Sequence, residues 1–132
     1  MNKGDIVTVD VAENGKYEIT FENTSLDIET WQVIGFGVDN QSKKLSMTLI
    51  EPLFIGEPLP KKLSECKNNF TLVCTIFGAG NMPAYKKKYN RCKIEVFNED
   101  DLVFNGKDLL KTVVVCSFEN VNYEKISFNK VS

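Results

Sequence analysis

Apolar and polar side chains alternate with a period of two along most of this chain, and that period predicts strands. The longest run with apolar positions on both faces is Phe70 to Phe77, Phe-Thr-Leu-Val-Cys-Thr-Ile-Phe. Phe70, Leu72, Cys74 and Ile76 project one way, and Thr71, Val73, Thr75 and Phe77 the other. A strand covered on both sides has this pattern. Eight residues between Asn68-Asn69 and Gly78-Ala79-Gly80 is strand length, so this run is expected to be the central strand.

Residues 5–22 predict a hairpin. Val7, Val9 and Val11 alternate on one arm, and Tyr17, Ile19 and Phe21 on the other. A two-residue Asn14-Gly15 turn would place the two apolar faces on opposite sides. A three-residue loop, Glu13-Asn14-Gly15, pairs Val9 with Ile19 and keeps both faces together, so burial selects the longer loop.

Trp31 to Val38 reads as the next strand, with Gly35 and Gly37 marking a bend or a close backbone approach. Without a following helix, this Gly-x-Gly does not make a phosphate loop. After a turn at Asp39 to Lys44, Leu45, Met47 and Leu49 form a return strand. Pro52, Pro58 and Pro60 predict an extended arm over 51–60, and Lys61 to Asn68 a short helix. Arg91 to Phe97 alternates with Cys92, Ile94 and Val96 inward. Asn98 to Asp101 resembles a helix start, Leu109 to Phe118 is a strand, and Tyr123 to Phe128 is a last edge strand after a turn at Asn120 to Asn122.

Seven or eight short strands without βαβ alternation predict a mainly β, antiparallel sandwich or small barrel with one or two short helices. The 132 residues fit one domain, 1–132, carrying the 51–60 arm. No run approaches a membrane span, so no membrane partner is expected. The start, Met-Asn-Lys-Gly-Asp-Ile-Val, has no apolar leader stretch, which points to the cytoplasm or to a virion assembled there. Of 16 basic residues, 15 are Lys, and there are 13 Asn. That bias suits AT-rich genomes, including those of bacteria and their viruses.

The chain has no His, which removes the commonest general base and the usual nitrogen ligand for zinc. Cys66, Cys74, Cys92 and Cys116 contain no Cys-x-x-Cys, and three of them fall on apolar strand faces, so they read as reduced core thiols. Glu99, Asp100 and Asp101 lack the spacing of a calcium loop. No catalytic residue, metal site or cofactor is therefore expected.

Two segments suggest contacts. Tyr85-Lys86-Lys87-Lys88-Tyr89-Asn90-Arg91 combines phosphate-neutralising cations with rings that could stack on bases, as in single-strand-binding barrels. Leu53, Phe54 and Ile55 are the apolar residues of the arm. Net charge is −6 over residues 1–60, +7 over 61–93 and −3 over 94–132. Segregated charge, an arm and no catalytic constellation point to a non-enzymatic interaction or assembly module. It would bind itself or other subunits, for example in a bacteriophage or other viral particle, through Leu53, Phe54, Ile55, Lys86, Lys87 and Lys88. The alternative is a single-stranded nucleic-acid-binding barrel using Tyr85, Lys86, Lys87, Lys88, Tyr89 and Arg91. Against it stands the net charge of −2, since such binders are usually basic.

Overall fold

The computed structural model describes residues 16–51, 57–102 and 109–126. The expected first arm of the 5–22 hairpin, the arm residues Leu53, Phe54 and Ile55, and the end of the last strand lie outside the described residues. The strands are β1 (Tyr17–Glu22), β2 (Val33–Asp39), β3 (Lys44–Ile50), β4 (Phe70–Phe77), β5 (Pro83–Glu99), β6 (Lys111–Ser117) and β7 (Asn120–Lys125), with one α-helix, α1 (Leu59–Glu65). Every pairing is antiparallel, as the alternation required. The order is β1-β4-β5-β6-β3-β2, with β7 beside β5.

Strand β5 is the spine. Its first half pairs β4 on one side and β7 on the other, and its second half pairs β6. β6 and β7 follow one another along the same side of β5, joined where the Glu119 N–H donates to the Asn90 carbonyl at 2.9 Å. The other side of Lys93–Glu99 has no strand partner among the described residues. The sheet bends at this junction, so that β1, β4, β7 and the start of β5 face β2, β3, β6 and the end of β5. Rings cross between the layers: Tyr17 lies 6.4 Å from Phe36, Phe36 5.8 Å from Tyr89, and Tyr89 5.1 Å from Phe118. No ladder joins β1 to β2 among the described residues, so the sheet is sandwich-like and not a closed barrel.

The central strand spans the expected Phe70–Phe77, with Leu72, Val73 and Cys74 buried. Ile19 of β1, Leu45, Met47 and Leu49 of β3, and Val114 and Cys116 of β6 join the core on the faces their alternation assigned. At Gly35 on β2, a Cβ would stand 3.3 Å from Thr48 Oγ1 of β3, which is the close approach the glycine pair suggested.

Local chemistry shifted four boundaries. Thr30–Gln32 form a 3₁₀ turn, so β2 starts at Val33. The Glu29 N–H donates to Gln32 Oε1 at 2.9 Å and draws the chain into that turn. α1 begins at Leu59, inside the expected extended arm. Pro60 is tolerated because first-turn N–H groups have no intrahelical partner anyway. The Glu51 carboxylate instead accepts the Leu59 N–H at 3.2 and 3.3 Å, and Leu59 and Leu63, one turn apart, are buried. Asn98 and Glu99 finish β5 and do not start a helix; the Asp100 carboxylate accepts the Lys111 N–H at 3.1 Å and closes the β5–β6 ladder. Asn120 to Asn122 are not a turn either, since they pair with β5.

Candidate interaction surface

Tyr85 to Asn90 lies in the first half of β5, between β4 and β7. Strand alternation splits the seven-residue cluster over two faces. Tyr85, Lys87 and Tyr89 share the core-side face, opposite Ile76, Cys74 and Leu72. Tyr89 is only 2% exposed, and burial pushes its phenol up to about 12. It is therefore a core ring and offers no face to a base. Lys86 and Lys88 stand on the outer face, in rows Glu18–Thr75–Lys86–Glu124 and Thr20–Val73–Lys88–Asn122. Lys88 Nζ is 3.2 Å from Glu124, and Arg91, at the bend, is 3.0 Å from Glu119. The stretch thus puts Lys86 and Lys88 on one side and both rings, with Lys87, on the other.

Folding also intermixes the charges that the sequence segregates. Lys61 sits between Glu57 and Glu65 at 2.6 and 3.5 Å, and Lys62 donates to the Asp27 carbonyl at 2.7 Å. Together with Lys88 and Arg91, half of the eight basic residues of the 61–93 segment are engaged within the chain. Lys67, Lys86, Lys87 and Lys93 form no ion pair among the described residues.

All four cysteines are free thiols, and Cys74, Cys92 and Cys116 are buried as expected of core residues. Burial pushes the Cys92 thiol up to about 12 and raises those of Cys66, Cys74 and Cys116. A nucleophilic or metal-binding cysteine needs the opposite shift. Among the described residues no three of Cys, Asp and Glu converge on a metal position.

Sequence reasoning missed a groove of about 540 Å³ between α1 and the second half of β5. One wall is the consecutive run Lys93 to Phe97; the other is Leu63, Ser64, Cys66 and Lys67. Five consecutive strand residues can line one groove only along a strand's edge, since alternate side chains leave on opposite faces. This is the edge of β5 that no strand covers among the described residues. An extra residue at Glu95, between the pairs Ile94–Cys116 and Val96–Val115, resets the alternation. Val96, expected inward, is therefore 48% exposed, and Phe97 packs on the core in its place. Glu95 pairs with Lys44, which holds its carboxyl below the usual range. The groove thus has an apolar floor and two cations, Lys67 and Lys93. No residue pattern in the sequence announces the bulge that exposes it.

No protein-family model matches the chain, and no curated protein sequence does. Solved structures share its fold. A chain of the six-fold symmetrised cryo-EM structure of the anti-feeding prophage baseplate superposes with a TM-score of 0.62 at 10% identity, over 92% of this chain and 100% of that one. A chain of the extended sheath–tube complex of the PVC extracellular contractile injection system gives 0.60 at 11% identity, over 96% and 99%. A type six secretion system protein gives 0.57 at 16% identity, over 86% and 85%.

Proposed function

We propose that this chain is a non-enzymatic structural subunit that assembles with copies of itself, or with partner subunits, in a particle of phage-tail or contractile-injection type. The observation that carries this is the near end-to-end correspondence with chains of a baseplate and of a sheath–tube complex. Chemistry supports it from the other side: the sequence contains no His, and its thiols are held protonated. Assembly then depends on surfaces and not on a catalytic pocket. The edge of β5 that no described strand covers offers backbone groups and apolar side chains for contact.

Light scattering at two protein concentrations in low salt, with electron microscopy of the concentrated sample, tests the proposal. Rings, stacks or discrete oligomers that grow with concentration are expected. A monomer at both concentrations, with no partner added, would count against self-assembly.

A further inference from the structure

We infer that the groove between α1 and the second half of β5 receives the acidic end of β5, Glu99 to Leu102, from a second copy of this chain; this rests on the assembly reading above. Three observations converge on it. First, among the described residues the edge of Lys93–Glu99 beside the groove has no strand partner, and such an edge accepts an extended segment by main-chain hydrogen bonds, with pockets for alternate side chains supplying specificity. Second, the charges of groove and segment are opposite. Among the described residues Lys67 and Lys93 flank the groove without ion pairs, while Glu95 pairs with Lys44. Among the described residues, Glu99 and Asp101 are exposed acids without ion pairs, set close together where β5 ends. Third, that segment carries Leu102, which is 84% exposed, the most of any large apolar residue described, and Val96 in the groove is 48% exposed. Both apolar surfaces leave water when the segment docks.

Groove and segment adjoin along one strand. Docked antiparallel, two copies fill each other's grooves at once and close a two-fold pair; docked parallel, each copy fills only the next and the contact propagates into a ring or a filament. The apolar floor supplies affinity, while the lysines set orientation and association rate, so assembly weakens as salt rises.

The test uses a charge swap read by sedimentation velocity at low salt. One variant reverses the groove, Lys67→Glu with Lys93→Glu; the other reverses the segment, Glu99→Lys with Asp101→Lys. Each alone is expected to need roughly ten times more protein to associate, because like charges then meet across the contact. Mixing the two in equal amounts should restore association, since each reversed groove then meets a reversed segment and each native groove a native one. Circular dichroism and a melting curve on each variant show that the fold is intact. A wild type that associates while both variants match it, or a mixture that stays apart, overturns this contact and leaves the assembly reading standing. A wild type that is monomeric at every concentration overturns this contact and self-assembly together, and leaves assembly with partner subunits as the reading.

Discussion

Tyr89 and Cys92 lie three residues apart on one strand, yet both are buried, at 2% and 0% exposure, and the Cys92 thiol donates to the Tyr89 carbonyl at 3.2 Å. In a regular strand an odd spacing puts side chains on opposite faces. Here the pairs Leu72–Tyr89 and Phe70–Cys92 show β5 using one more residue than β4, and Arg91 takes φ 55° to absorb it. The bulge turns the strand from one layer into the other, which places the Lys93–Phe97 edge beside α1.

Arg91 is a long side chain in a left-handed conformation, and that costs about 1 kcal/mol relative to Gly. Its exposed pair with Glu119 returns ~0–1 kcal/mol. Arg91→Gly should therefore leave stability within about 1 kcal/mol of wild type. Arg91→Val, β-branched at positive φ, should lower it by roughly 2 kcal/mol or more. Urea denaturation of both variants decides this, and a Val variant as stable as the Gly variant would mean the bulge does not hold the bend.

Alternation made most strands legible in the sequence because one face of each is buried. Phe70–Phe77 and Lys44–Ile50 follow their patterns throughout. What it left illegible depends on single-residue register changes. Arg91 and Glu95 are ordinary polar residues with no glycine to mark a bulge, so β5 read as two pieces with Val96 inward. The same blindness hid the candidate surface. Tyr85 to Arg91 looks like one basic-aromatic patch in one dimension, and the pleat separates its rings from Lys86 and Lys88. The groove is made by an edge, and edges are set by which strands lie beside which, a long-range property that local pattern does not carry.

Thiol burial predicts how stability varies with pH. Cys92 titrates near 12 in the fold against an ordinary value of 9.0, and Cys74 and Cys116 are shifted the same way. A folded pKa above the unfolded one gives a contribution that is complete below pH 9. It is lost as pH rises from there toward the folded value, because the unfolded chain releases the proton first. Stability should be flat in this respect between pH 6 and about 8. For Cys92 it should fall by about 1.4 kcal/mol per pH unit from pH ~9 toward about 12. Urea midpoints at several alkaline pH values measure the slope, and Cys92→Ala should make it shallower whatever its effect at neutral pH. An unchanged slope would mean that Cys92 ionises freely in the fold.

Helix α1 is held by few contacts, so single changes in it are informative. Leu63 is 3% exposed, and Leu63→Ala should cost about 2–4 kcal/mol through lost burial and the cavity left behind. Glu51→Ala removes the carboxylate that accepts the Leu59 N–H and should cost about 1 kcal/mol, as loss of a helix cap does. Hydrogen exchange offers a sharper reading than a global melt. Protection in Leu59–Glu65 should drop in Glu51→Ala while β4 keeps its own, and a uniform loss would show that the helix and the sheet open together.

Tyr89 separates a core role from a binding role. Its ring lies between Phe36 and Phe118 at centroid distances of 5.8 and 5.1 Å, geometry that favours tilted and edge contacts. Tyr89→Ala should therefore cost about 3–5 kcal/mol, in the range of other buried aromatic truncations. Lys86→Ala, on a half-buried cation with no ion pair among the described residues, should stay within about 0.5 kcal/mol. A stacking tyrosine would behave in the opposite way, with little effect on the fold and a large effect on oligonucleotide affinity. Melting curves set beside titrations with a labelled single-stranded oligonucleotide distinguish the two. A stable Tyr89→Ala protein with reduced oligonucleotide affinity would put the ring at a surface and overturn the assignment of Tyr89 to the core.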